Sequence, residues 1–164
     1  MPFENIRSLL SEVGHLSQLG GTRHYVLAEG RAAGIRAIDV DTGTGLQFTV
    51  LPDRALDITR CGFEGANLVY LGPVGETHPA YYNSAGTEWL RSFSGGLLTT
   101  CGLNTFGASC DDAGEQLPLH GRIANTPANR FGYATVWRIS AGSLPNSHIV
   151  RWPSNSIVDP LNSG

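Results

Sequence analysis

Leu46, Phe48 and Val50 alternate with Gln47 and Thr49, a period of two that suits a strand buried on one face and little else. Runs of similar length at 24–29 and 35–41 precede it, cut by Gly30, Gly34 and the turn Thr42-Gly43-Thr44-Gly45. These runs predict a meander of antiparallel strands. Further strands are expected at 55–60, with Leu56 and Ile58 on one face and Asp57 and Thr59 on the other, and at 67–71. The expected fold class is all-β and mainly antiparallel. The 21 glycines among 164 residues fit it, because tight turns between short strands need positive φ or close backbone approach. One helix is expected at the N-terminus, where Phe3, Ile6, Leu9, Leu10 and Val13 recur at helical spacing ahead of Gly14. It is short and amphipathic, suited to packing on the outside of a sheet. The stretch 72–86, with Pro73, Pro79 and Tyr81-Tyr82, reads as a long loop of the kind that carries function or wraps a core.

Composition removes several classes of function. The chain is 41% hydrophobic and only 15% charged, against an average charged share of about 25%, which describes a globular body rather than a disordered one. Its net charge is -3, and all 11 basic residues are scattered arginines, so it lacks the clustered positive charge that nucleic-acid phosphates require. The apolar run at 68–71 falls far short of the roughly 20 residues that span a bilayer, so no membrane partner is expected. The opening Met1-Pro2-Phe3-Glu4 has neither a basic nor an apolar signal region, which makes the cytoplasm the expected location. Cys61, Cys101 and Cys110 are odd in number and lack C-x-x-C spacing, as expected of reduced thiols. From Ile139 onward the composition shifts to Ser, Asn and Pro. Residues 1–138 are therefore expected to form the folded body, and 139–164 a disordered or non-native tail.

Three segments combine polar residues with Gly and Pro in a definite order. The first is Leu51-Pro52-Asp53-Arg54-Ala55-Leu56-Asp57-Ile58, the second runs from Phe93-Ser94-Gly95-Gly96 through Thr100-Cys101-Gly102-Leu103-Asn104, and the third is Leu117-Pro118-Leu119-His120-Gly121-Arg122, continuing to Pro127-Ala128. Arg54 between Asp53 and Asp57 could be a ligand-facing guanidinium held by a carboxylate, giving directional donors to sugar hydroxyls; the competing reading is an ion pair that pins a turn. His120 could offer one ring nitrogen to a ligand while the other is fixed, as proton transfer requires; the competing reading is a structural hydrogen-bonder. Asp111, Asp112, Glu115 and His120 match no defined zinc or calcium spacing, so no metal is expected. No phosphate-cradling glycine motif occurs, and nucleophilic catalysis by Cys101 or Cys110 stays an option that would need a lowered thiol pKa and an adjacent base.

Taken together, Pro52 to Ile58, Phe93 to Leu103 and Leu119 to Ala128 resemble a branch of aldose 1-epimerase-like proteins in the galactose mutarotase superfamily. The corresponding patterns are Pro-Asp-Arg-Gly-x-Asp-Ile, Phe-x-Gly-Gly-Leu-x-x-Thr-Cys-Gly-Leu and Leu-His-Gly-Arg followed by Pro-Ala. The resemblance implies an antiparallel β-supersandwich holding a monosaccharide, whose anomeric centre is epimerised by acid and base catalysis without a cofactor. It implies a catalytic pocket role for His120 and substrate contacts from Arg54, Arg122 and Asn104, with Asp57 orienting Arg54. Ala55 departs from the pattern's glycine. The superfamily's second histidine and catalytic glutamate lie far downstream of Leu-His-Gly, so the chain is expected to represent the N-terminal part of the sandwich; His148 has no matching surroundings. The alternatives are a carbohydrate-binding or sensing module without chemistry, or an inactive truncated chain whose exposed edge strand favours homo-oligomers.

Overall fold

The computed structural model describes residues 11–129. The expected N-terminal helix falls mostly on residues outside that range, and the proposed tail at 139–164 falls wholly outside it. Among the described residues no helix is long and apolar enough to cross a membrane.

Five strands form the principal sheet: β1 (Gly21–Val26), β2 (Arg36–Asp41), β3 (Leu46–Leu51), β4 (Asp57–Phe63) and β5 (Ala66–Asn67). They lie side by side in chain order, each antiparallel to the next. β3 has the bounds that its alternation predicts. β1 begins three residues earlier than the composition suggests, since Gly21, a poor strand former by itself, is placed opposite Asp41 by the ladder to β2. The run expected at 67–71 is divided, because Ala66–Asn67 pairs with β4 whereas β6 (Tyr70–Leu71) pairs with β7 (Gly95–Gly96). A hairpin of β8 (Cys110–Asp112) and β9 (Glu115–Leu117) completes the strands among the described residues.

Apolar residues are buried on both faces of the sheet. Along β2, Ala37 joins Ile35 and Leu51 in one cluster, while Ile38 and Val40 join Val50 in the other. This follows from the two-residue period, which sends neighbouring side chains to opposite faces. β4 breaks the period. Thr49 pairs with Arg60 and Val50 with Ile58, so Thr59 is an extra residue, a β-bulge that bends the strand. Ile58 consequently packs on the Val50 cluster while Asp57, Thr59 and Cys61 are buried.

Between β3 and β4 the chain reverses through a 3₁₀ turn at Pro52–Arg54 and two left-handed residues, Ala55 at φ 49° and Leu56 at φ 68°. Strand β4 therefore starts at Asp57 rather than at the expected Ala55. Left-handed backbone costs an L-residue about 1–2 kcal/mol, partly offset by glycine's larger entropy loss on folding. Ala55→Gly is expected to raise unfolding free energy by roughly 0.5–1 kcal/mol in urea denaturation; a variant less stable than the parent would show that the alanine methyl is needed by its packing.

Candidate functional site

Burial decides what residues 53–57 can do. Arg54 is 1% exposed. Its Nη1 donates to the Thr77 carbonyl at 3.1 Å and to Asn125 Oδ1 at 2.8 Å, and its Nη2 donates to the Ser92 carbonyl at 3.0 Å. A single guanidinium thus fastens three segments far apart in sequence. The flanking carboxylates point elsewhere. Asp53 accepts from the Arg36 backbone N–H at 2.7 Å and from Arg36 Nε at 2.9 Å. Burial would raise the Asp53 carboxyl, but these hydrogen bonds and the Arg36 charge outweigh it and hold the group below the usual carboxylate range. Asp57 accepts from the Thr100 N–H at 2.6 Å and reaches Arg54 only through its charge. Asp57, expected to orient Arg54, acts on it through charge, while two carbonyl oxygens and Asn125 hold the guanidinium.

His120 meets the same assembly through Trp89, three residues before Ser92. It adopts φ 57°, followed by Gly121 at φ 76°. A Cβ on Gly121 would lie 2.4 Å from the Gly102 carbonyl oxygen, so the Leu-His-Gly motif needs its glycine for both conformation and space. The His120 N–H donates to the Gly107 carbonyl at 2.9 Å, its carbonyl accepts from the Gly102 N–H at 2.9 Å, and Nδ1 faces the Gly107 N–H at 3.4 Å. The loop 102–107 therefore cups the imidazole. The ring lies 4.7 Å from Trp89 in a tilted contact and 6.1 Å from Phe106 edge-on. With Nδ1 accepting, the neutral ring carries its proton on Nε2, leaving Nε2–H as a donor.

Asn104 is exposed, and its Oδ1 lies 3.2 Å from where a Gly121 Cβ would stand, so the structure brings it beside His120. Arg122 is exposed and leans toward the β8–β9 hairpin, donating to Glu115 Oε1 and the Gln116 carbonyl at 3.4 Å each. Arg54 and Asp57 belong to the supporting layer. Sequence reasoning missed Trp89 and Asn125, the groups that pack His120 and hold Arg54; no spacing singles either out. Tyr82, whose hydroxyl burial raises while Arg122 partly offsets the effect, belongs to the same region. Among the described residues, the buried Tyr82 Oη, Trp89 Nε1 and Asn125 Nδ2 have no hydrogen-bond partner. No group of three His, Cys, Asp or Glu side chains there is placed to hold a metal ion, and Cys61, Cys101 and Cys110 are all unpaired.

The mainly antiparallel all-β architecture is galactose mutarotase-like. A crystal structure from Klebsiella pneumoniae, described as that of a "putative aldose 1-epimerase", is similar at 28% identity and a TM-score of 0.60. The likeness covers 69% of this chain and 32% of that one, so this chain spans about a third of that protein's length. Residues 32–144 match a family described as a domain of unknown function (DUF4432), and the chain belongs to that family. No curated protein matches.

Two outcomes follow from the buried charges. Arg54→Ala removes donors from three acceptors and is expected to cost roughly 3 kcal/mol or more in chemical denaturation, with Arg54→Lys recovering little of it; a loss below about 1 kcal/mol would contradict the fastening role. Burial pushes the Asp57 carboxyl up to about 6, against the Thr100 hydrogen bonds and the Arg54 charge. A raised folded-state value means that the folded chain binds the proton more tightly than the unfolded chain does. Stability from this group is then present below about pH 4 and falls as pH rises to about 6. Asp57→Asn should flatten that slope and stabilise the chain at pH 7 by up to roughly 3 kcal/mol, measured by thermal unfolding across pH; an unchanged slope would show that the carboxyl does not titrate there.

Proposed function

We propose that this chain forms one wall of the monosaccharide pocket of an aldose 1-epimerase-like protein acting at the anomeric centre, with His120 as its catalytic contact. The observation that carries this reading is the held imidazole: Gly107 faces Nδ1, Trp89 packs the ring, and Nε2–H is the donor left to engage a sugar oxygen. A donor at the ring oxygen supports charge that develops there as the ring opens, a step of general acid catalysis. Asn104 is the neighbouring polar contact, and Arg122 a cation at the rim that would exchange Glu115 for a sugar hydroxyl. Arg54 and Asp57 act from beneath, by fixing the segments that carry Trp89 and Thr100. The similarity to the Klebsiella pneumoniae protein supports an aldose as substrate. Unpaired cysteines suit a cytoplasmic setting.

One observation favours a second reading, a carbohydrate-binding or sensing module without chemistry. Among the described site residues His120 has no carboxylate partner to complete an acid and base pair, since Asp53 and Asp57 are committed to Arg36 and Thr100.

Saturation-transfer NMR on a panel of aldoses, with the complete pocket of which this chain is one wall, separates the two. The isomerase reading expects faster anomer exchange than buffer alone, reduced by about 100-fold or more in His120→Ala. Exchange at the buffer rate with every aldose would defeat it. Sugar binding that persists without exchange, and weakens in His120→Ala, would establish the binding module.

A further inference from the structure

The principal sheet has a second polar region, away from His120. Arg23, Asp39, Thr49 and Arg60 stand directly opposite one another across β1, β2, β3 and β4, so their side chains project from the same face in one row. The row crosses a concavity of about 1000 Å³ whose lining includes Tyr25 and Glu76 and excludes His120, Trp89 and Arg122. Its carboxylates are fixed rather than mobile. Asp39 Oδ1 accepts from the Tyr25 hydroxyl at 2.9 Å and from the Thr49 hydroxyl at 2.7 Å. Glu76 Oε1 accepts from Thr59, the bulge residue, at 3.1 Å and from Arg60 Nε at 3.3 Å. Both carboxylates thus use one oxygen internally and keep the other as an acceptor. Arg60 commits only Nε, with its side chain 62% exposed, while that of Glu76 is 14% exposed.

We propose that this face is a second carbohydrate-binding site, separate from the His120 pocket, taking a neutral polyhydroxylated ligand along the row Arg23, Asp39, Thr49 and Arg60. Vicinal hydroxyls each donate and accept, so they match a surface on which fixed carboxylate acceptors alternate with guanidinium donors. The outer nitrogens of Arg60 bridge two adjacent hydroxyl oxygens, and the unoccupied oxygens of Asp39 and Glu76 receive the hydroxyl protons. Asp39, Asp41 and Glu76 disfavour a phosphate or carboxylate ligand at the same place. Arg23 and Arg60 disfavour a simple cation.

The test is a titration of the isotope-labelled chain with D-glucose, D-galactose and maltose, followed by amide chemical shifts. The proposal expects saturating shifts grouped on the strand amides of residues 23, 39, 49 and 60 with at least one of the sugars. Arg60→Ala, at an exposed position, and Glu76→Gln, which preserves shape, should each weaken that binding tenfold or more, while His120→Ala leaves it unchanged. The idea is overturned by strand amides that do not move with any sugar, or by strand binding that both variants leave intact. Shifts confined to 102–122 and lost in His120→Ala would support the His120 pocket alone and reject the second site, so the two readings fail separately.

Discussion

The buried guanidinium of Arg54 is the interaction on which the irregular part of this structure depends. Between β5 and residue 129 the described residues form only the short pairs β6–β7 and β8–β9, and two-stranded elements are marginal by themselves. What orders this region is its attachment to one stretch of chain. Residues 52–58 supply a carbonyl to Ala128, the Arg54 fork to Thr77, Ser92 and Asn125, an N–H to Thr126, the Asp57 carboxylate to Thr100 and the Ile58 bridge to Leu98. The first of the three motif segments is therefore the frame on which the second and third are hung. Removing Arg54 would leave the Thr77 and Ser92 carbonyls and Asn125 Oδ1 without these donors at once, and each buried acceptor left unpaired carries its own desolvation cost.

That arrangement explains which features were legible from sequence. The alternation at Leu46–Leu51 encodes a strand directly, because burial of one face is a local pattern. The composition of residues 52–58 marks the segment as special without revealing its bonding partners. Arg54 has two carboxylates within three residues, yet its partners lie 23, 38 and 71 residues away. Two of them are backbone carbonyls, which every residue offers. Side-chain identity cannot announce such a bond. His120 is a similar case: the motif exposed the histidine and its glycine, whereas Trp89 and the Gly107 amide, which aim the ring, come from a short 3₁₀ turn and a loop with no periodicity. The division of 67–71 between two partners was equally hidden, being set by Gly95 and Gly96 rather than by the run itself.

Asp53 and Asp57 illustrate how neighbouring carboxylates acquire opposite properties. Both are nearly inaccessible, at 7% and 4% exposure, so both lose hydration. Asp53 regains more than it loses from a bidentate arginine and a backbone amide; Asp57 has a backbone amide and a distant charge, and desolvation wins. Asp53 stays ionised as a fixed clamp on Arg36. Asp57 is the group in the frame whose charge changes in mildly acidic solution, beside an Arg54 that remains charged throughout.

The bulge at Thr59 ties this frame to the polar face of the sheet. By inserting one residue, it places Asp57 and Thr59 among the buried positions while Arg60 remains in register with Thr49. Thr59 then reaches Glu76, and the next residue, Thr77, gives its carbonyl to Arg54. Residues 76 and 77 therefore belong to both constructions at once, one through a side chain and the other through the backbone. Loss of Arg54 removes a donor from the Thr77 carbonyl, whereas a change at the exposed Arg60 removes one hydrogen bond from Glu76, which keeps Thr59, and leaves the Arg54 fork intact. The order of dependence runs from the buried charge outward to the sheet face, as expected when the costlier group to leave unpaired is the one most completely enclosed.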